Sequence, residues 1–293
     1  MKVRITTLIE NNPDTDHELS NEHGLSLYIE VEDKKILFDT GQTGLFVENA
    51  KKLGKNLSDL DHIVISHGHY DHSGGVQRLT NELEEMPELA WLPEFLVGSE
   101  FFEPKYKRLD DLSYKYNGNP FDDSFITDHR IPCIKVSEDS YYISEDIMLF
   151  HHFQKKNDFE LSNHKFCIIK GDEIRQDEFM DEIALVIKTL KGLIVIVGCS
   201  HVGIVNILST IIERTGMSVY ALIGGTHLIE ADENRMMETI DYLNKINLGI
   251  IAVSHCTGEH HIARIKQEFG DRFVYNTTGN IIEVVTADSD KHI

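Results

Sequence analysis

Six consecutive residues, His67-Gly68-His69-Tyr70-Asp71-His72, bring three imidazoles and one carboxylate together directly behind the apolar run Ile63–Ser66. If that run is a strand and the histidines leave it in a loop, His67 and His69 point to the same side. Two neutral imidazoles at this spacing suit one borderline cation such as zinc. Asp71 and His72 then offer a carboxylate and an imidazole to a neighbouring position. Gly68, Gly74 and Gly75 let the backbone turn tightly around these side chains. The plain alternative is a surface loop that happens to hold histidines. Ligand type, spacing and the preceding apolar strand together outweigh it. A cation held here lowers the pKa of water toward neutrality and polarises a carbonyl or phosphoryl oxygen. Asp71 is then the candidate catalytic residue, placed to hold that water and carry its proton. No Gly-x-Ser-x-Gly nucleophile elbow competes with this chemistry.

The rest of the chain must build a scaffold for that run. With 293 residues, 41% hydrophobic and 26% charged, it has the make-up of a single large α/β domain spanning 1–293. The net charge of −21 repels polyanions, and no Lys/Arg tract relieves it, so nucleic acid is disfavoured and a small-molecule substrate is expected. Bound metal cancels charge locally and leaves room for an anionic substrate. Cys133, Cys167, Cys199 and Cys256 form no Cys-x-x-Cys pair. Cys199 and Cys256 each neighbour a histidine, but small buried apolar side chains are the first reading of both. The start, MKVRITTLIENN, alternates as a strand does and lacks the features of a signal peptide. No apolar run is long enough to cross a bilayer, so a cytosolic protein is expected. Nothing in the sequence fixes an oligomeric state.

Periodicity places the elements. Lys2–Ile9, Leu25–Val31, Lys35–Phe38 and Ile63–Ser66 read as strands, and Thr43–Leu53 and Ser73–Leu83 as helices. From 84 to 177 the pattern changes. Pro87, Pro93, Pro104 and Pro120 interrupt it, and Trp91, Phe95, Phe101, Phe102, Tyr106, Tyr114, Tyr116 and Phe121 enrich it in aromatics. This stretch reads as an insertion or lid with a β-rich return near Ile134–Phe150, most of its aromatics forming a small core of their own. Strand–helix alternation then resumes. Ile183–Thr189, Leu193–Gly198, Ser218–Ile223 and Ile250–Ser254 read as strands, and Val202–Arg214, Glu233–Ile246 and Glu259–Phe269 as helices. Phe273–Tyr275 and Ile281–Val285 are candidate terminal strands.

The histidine run matches the His-x-His-x-Asp-His signature of the metallo-β-lactamase superfamily, and three further stretches resemble its other motifs in the right order. Phe38-Asp39-Thr40-Gly41 resembles the aspartate motif, which implies that Asp39 orients a histidine ligand. Gly198-Cys199-Ser200-His201 resembles the next, with His201 completing the first metal site. Ser254-His255 resembles the last, with His255 on the second metal. One element departs: the superfamily's metal-bridging aspartate is missing from Ile223-Gly224-Gly225-Thr226-His227. His227 is the natural substitute, although an imidazole bridges two metals poorly. More narrowly, Asp181-Glu182-Ile183-Ala184-Leu185, Gly224-Gly225-Thr226-His227-Leu228 and Ser254-His255-Cys256-Thr257-Gly258 resemble the dihydropterin–ribofuranosylaminobenzene phosphate synthase family. The resemblance implies a four-layer αββα sandwich, one or two divalent ions (zinc first, iron or manganese also admitted) and a phosphorylated pterin-type substrate.

Weaker signals surround these. Thr257 and Gly258 precede a helix whose amides could hold an anion. His260, His261, His129 and the pair His151-His152 read as solvated or structural. A metal-dependent hydrolase-type enzyme is the expected function. A metal-dependent phosphodiesterase or nuclease and a non-catalytic metal or redox sensor stand as alternatives.

Overall fold

The computed structural model describes residues 1–86, 92–161 and 163–285. Pro87 and Trp91, singled out above, lie outside them. The chain order is β1 (Lys2–Ile9), β2 (Ser26–Val31), β3 (Lys34–Phe38), α1 (Phe46–Lys52), β4 (His62–Val64), α2 (Tyr70–Ser73), α3 (Val76–Glu84) and β5 (Glu94–Gly98). Next come β6 (Lys105–Arg108), β7 (Tyr114–Tyr116), α4 (Asp123–Asp128), β8 (Cys133–Val136), β9 (Ser140–Tyr142), β10 (Ile147–Phe150), β11 (Phe166–Lys170) and β12 (Glu173–Gln176). The last part holds β13 (Ala184–Thr189), β14 (Gly192–Val197), α5 (Ile204–Thr215), β15 (Val219–Gly224), α6 (Glu233–Lys245), β16 (Ile250–Val253), α7 (Glu259–Phe269) and β17 (Ile281–Val285).

Two large sheets pack face to face with helices outside. One has the order β17-β1-β2-β3-β4-β5-β8, the other β16-β15-β14-β13-β10-β9. Strand alternation sorts the side chains into layers. Ile194 and Ile196 of β14, with Ile36, Phe38, Val64 and Leu96 from the facing sheet, fill the space between the sheets. Leu193, Val195 and Val197 point the other way, against Ile207, Leu243 and Ile265 of the three C-terminal helices. Leu37, Ile63 and Phe95 likewise meet Phe46, Val47 and Leu79 on the opposite outer face. Every residue of β14 is buried, which is why it reads as an unbroken apolar run rather than an alternating one. Each such side chain contributes about 1.5–3 kcal/mol on burial. This is the four-layer αββα sandwich, as expected.

Among the described residues, the stretch 84–177 enters all three sheets. Its β5 and β8 extend the first large sheet, β9 and β10 the second, and β6, β7, β11 and β12 form a separate four-stranded sheet of order β12-β11-β6-β7. Two local expectations differ from the structure. The helix read from Ser73 is split into α2 and α3, because Gly74 passes so close to Gln42 that a Cβ would lie 1.9 Å from its carbonyl oxygen. Phe273–Tyr275 forms no strand: a single bridge, Ile251 to Phe273, is all that pairs there. Among the described residues no helix is long and apolar enough to cross a membrane.

Candidate metal centre

The chemistry-bearing residues gather at the ends of parallel strands. β3 runs parallel to β4, and β14, β15 and β16 are mutually parallel. Asp39 follows β3, the histidine run follows β4, Cys199 and His201 follow β14, His227 follows β15 and His255 follows β16. At these ends the backbone bends sharply. Asp39, Ser200, His227 and His255 all adopt left-handed φ values, 59°, 62°, 47° and 54°. Each costs on the order of 1 kcal/mol or more and persists only where surrounding bonds over-determine it. Asp39 N donates to Val64 O at 2.9 Å, and Ser200 Oγ to Gly225 O at 2.8 Å.

A first group is purely imidazole. His67 Nε2 lies 3.0 Å from His69 Nδ1, and one nitrogen each of His67, His69 and His201 fall within 4.8 Å of one another. Burial drives all three pKa values well below 6.5, so the rings are neutral. His201 Nε2 is buried with no hydrogen-bond partner. Converging neutral nitrogens with an orphaned lone pair are costly unless a cation accepts them, and the set fits one divalent ion. Phe179 stacks on His201 with centroids 4.1 Å apart, and Phe166 stands 5.2 Å from both His69 and His201.

The loops carrying this group are tied from below by adjacent acids. Gly68 N donates to Asp181 Oδ2 at 2.6 Å, and there is no room for a side chain at Gly68, where a Cβ would meet Phe101 O at 2.4 Å. The other Asp181 oxygen accepts from Lys105 Nζ at 2.9 Å, and Asp177 accepts from the same amine at 2.7 Å. Lys105 is 1% exposed. Glu182 accepts from His201 N at 2.7 Å and Val202 N at 2.9 Å, while burial pushes its pKa up to about 7. The sequence reading used Asp181 and Glu182 only as part of a resemblance. Two adjacent acids leading into the apolar run Ile183–Ile187 were the signal that they are buried and structural.

A second group is chemically mixed. Asp39 Oδ2 lies 2.6 Å from His72 Nδ1 and also accepts from Ser66 Oγ. This turns His72 Nε2 inward, 3.2 Å from His255 Nε2, 3.2 Å from Cys199 Sγ and 3.8 Å from Asp71 Oδ2. His255 Nε2 to Asp71 Oδ2 is 3.4 Å. Burial alone would lower the His72 pKa, but the Asp39 and Asp71 carboxylates push it up to about 9. Burial would raise Asp71, yet His72, His23 and His255 hold it well below the usual carboxylate range. Burial depresses His255 to about 4 and raises the Cys199 thiol well above its ordinary value.

The remaining candidates lie elsewhere. His227 stands on the first group's side, its ring 4.3 Å from that of His201, and it joins none of the converging donor sets among the described residues. Cys199 Sγ, not His227, reaches the space between the groups. Thr257 is fully buried, and its Oγ1 accepts from Thr226 N and pairs with Thr226 Oγ1. Neither Thr257 nor Gly258 lines the cleft. His260 is exposed; His129 pairs with Glu84 and His152 with Asp139.

Sequence reasoning missed the N-terminal loop. His23 Nε2 lies 3.1 Å from Asp71 Oδ2, Asn11 Oδ1 2.9 Å from His255 Nδ1, and Glu10 Oε1 accepts from His255 N at 2.6 Å. A polar stretch carries no spacing that marks such roles. The centre opens into a cleft of about 500 Å³ whose further walls include Tyr70, Lys107, Lys115, Asn117, Phe166 and Ile229.

Comparison with known proteins gives this geometry its relatives. The model of the metallo-β-lactamase superfamily matches residues 20–144. A Methanocaldococcus jannaschii protein named 7,8-dihydropterin-6-methyl-4-(β-D-ribofuranosyl)-aminobenzene-5'-phosphate synthase is 32% identical, covering 96% of each chain. An uncharacterized protein of the same organism is 29% identical over 90% of this chain and 94% of its own. A solved structure described as a metal-dependent hydrolase of the β-lactamase superfamily superposes with a TM-score of 0.83 at 28% identity, covering 97% of this chain and 100% of that one.

Proposed function

The chain belongs to the metallo-β-lactamase superfamily, and from that premise we propose that it is a hydrolase-type enzyme dependent on one or two divalent cations. Its substrate in this reading is a small anionic molecule carrying a ring. The observation that carries the proposal is the convergence of neutral nitrogens from His67, His69 and His201 beside the Asp71, His72 and His255 group, at the floor of one cleft. His67, His69 and His201 would hold one ion, and Asp71, His72 and His255 the other, zinc fitting first and iron or manganese also admitted by such donors. When bound, such ions supply Lewis acidity and lower the pKa of water.

The chain's own residues do the rest. Asp71 Oδ2, fixed between His255 and His23 and kept ionised by them, is positioned to accept a hydrogen bond from the reacting water and orient it. His23, half exposed at the cleft beside Asp71, is positioned to carry the water's proton outward. Lys107 and Lys115 line this cleft together with Glu230, which pairs with Lys107 at 3.4 Å, and Lys115 is the cation suited to an anionic group held away from the histidines. Tyr70 and Ile229 offer apolar surface to a ring. The relative's name includes a pterin and a 5'-phosphate, and a phosphorylated pterin-type compound is the substrate we extend to this chain. A phosphodiesterase or nuclease would use the same donors, but the charge of −21 opposes a polyanion.

The test is a panel of pterin phosphates, esters, lactones and phosphodiesters, each assayed with zinc, iron and manganese. Phosphorylated substrates should turn over best, and inorganic phosphate should compete with them, less so as salt rises. Lys115→Ala should raise KM while metal content stays intact. Neutral substrates turning over better, with no inhibition by phosphate, would replace this reading with an ordinary ester or lactone hydrolase.

A further inference from the structure

Cys199 Sγ stands between the two donor groups, whereas the resemblance led one to expect a bridging carboxylate after β15. It lies within 4.8 Å of nitrogens of His67 and His72, and also within 4.8 Å of a nitrogen of His255 and the sulfur of Cys256. It thus belongs both to a set reaching the first group and to a set reaching the second. Its approach to His72 Nε2, 3.2 Å, is short for a thiol packed as an apolar side chain. The second group's separations are 3.2 Å from His72 to His255, 3.2 Å to Cys199, 3.8 Å to Asp71, and 3.4 Å from His255 to Asp71. Ligands on one tetrahedral zinc, at about 2.0–2.1 Å for nitrogen and about 2.3 Å for sulfur, stand roughly 3.3–3.6 Å apart. These four separations bracket that range, and Cys199 adds a fourth donor to a set that otherwise has three.

We propose that Cys199 is a metal ligand: its thiolate fills the fourth position of the Asp71, His72 and His255 site, on the side facing the first site, in place of a bridging aspartate. On binding, the S–H bond is replaced by a sulfur–metal bond and the proton leaves to solvent. Cys256 is assigned no ligand role, since its sulfur is engaged by Cys199 O at 3.4 Å and His227 N at 3.3 Å. A thiolate adds soft character and favours zinc or cobalt over magnesium or manganese at this position.

The inference rests on the metal-dependent reading above, and the experiment separates the two. Metal-free protein is titrated with cobalt(II) and followed by absorbance. Wild type and Cys256→Ser should both develop an intense near-ultraviolet thiolate-to-cobalt band, and Cys199→Ser should lack it. Cys199→Ser should bind the first equivalent as wild type does and the second roughly tenfold to a hundredfold more weakly. Zinc-edge X-ray absorption of wild type needs no variant and should show sulfur at about 2.3 Å. If two ions bind with no sulfur signal, or the band survives in Cys199→Ser, this inference falls and the metal reading stands. If no ion binds, both fall.

Discussion

The two donor groups of this centre meet in one cleft but are built differently. The first is three neutral imidazoles, sealed by Phe166 and Phe179 and tied by Asp181 and Glu182 to the backbone beneath. The second mixes carboxylate, imidazole and sulfur, carries a protonated His72 held against Asp39, and faces the half-exposed His23. An uncharged set loses little to competing protons and binds in a preformed shape. A charged, proton-loaded set must shed protons to bind. The difference teaches that affinity at the first group is chiefly a matter of packing, and at the second a matter of charge.

The strongest test of that contrast removes the first group. His67→Ala or His69→Ala should lose the tight metal and the activity together, as measured by elemental analysis beside an assay. Full metal content in both variants would break the comparison. Next in size is the buried amine beneath it. Lys105→Met leaves Asp177 and Asp181 buried without their cation, which should cost about 3–5 kcal/mol and lower Tm in thermal unfolding. A stability change within error would show that the tie under Gly68 is not what sets the loop. A chelator titration compares the groups directly. Purified protein should hold one to two ions per chain, the second leaving first; simultaneous release would erase the distinction.

The mildest perturbation is pH. The first group's pKa values lie well below 6.5, so its affinity should be nearly flat above neutrality. At the second group, binding displaces the His72 proton and, with Cys199 as a ligand, the thiol proton, so affinity should climb roughly a hundredfold per pH unit until about 9. In metal-free protein the sign reverses. A histidine raised above its unfolded value of 6.5 lends stability that is complete below 6.5 and is lost as pH rises through about 9. Calorimetric titrations across this window read both trends.

The local code was legible. The apolar runs of β14 to β16 and the helices that separate them follow from periodicity and specify the α/β alternation; the spacing of His67 and His69 behind β4 marked a metal pair, and the resemblance added His201 to it. Less legible was the stretch 84–177. Its prolines and aromatics mark a break in pattern, whereas its strands pair with partners far away in sequence in all three sheets.

By itself, then, the sequence determined which residue types stand after which strands, because ligand spacing and strand alternation are properties of a few neighbouring positions. The tertiary structure decided which of them share an atom-scale neighbourhood. Lys105 lies beneath the loop of Gly68 through Asp181, His23 and Asn11 close over Asp71 and His255, and Cys199 enters the gap while Thr257 turns inward to Thr226. Each of these contacts joins segments dozens to hundreds of residues apart, and only the packing of the two sheets, which brings the strand ends to one edge, sets those distances.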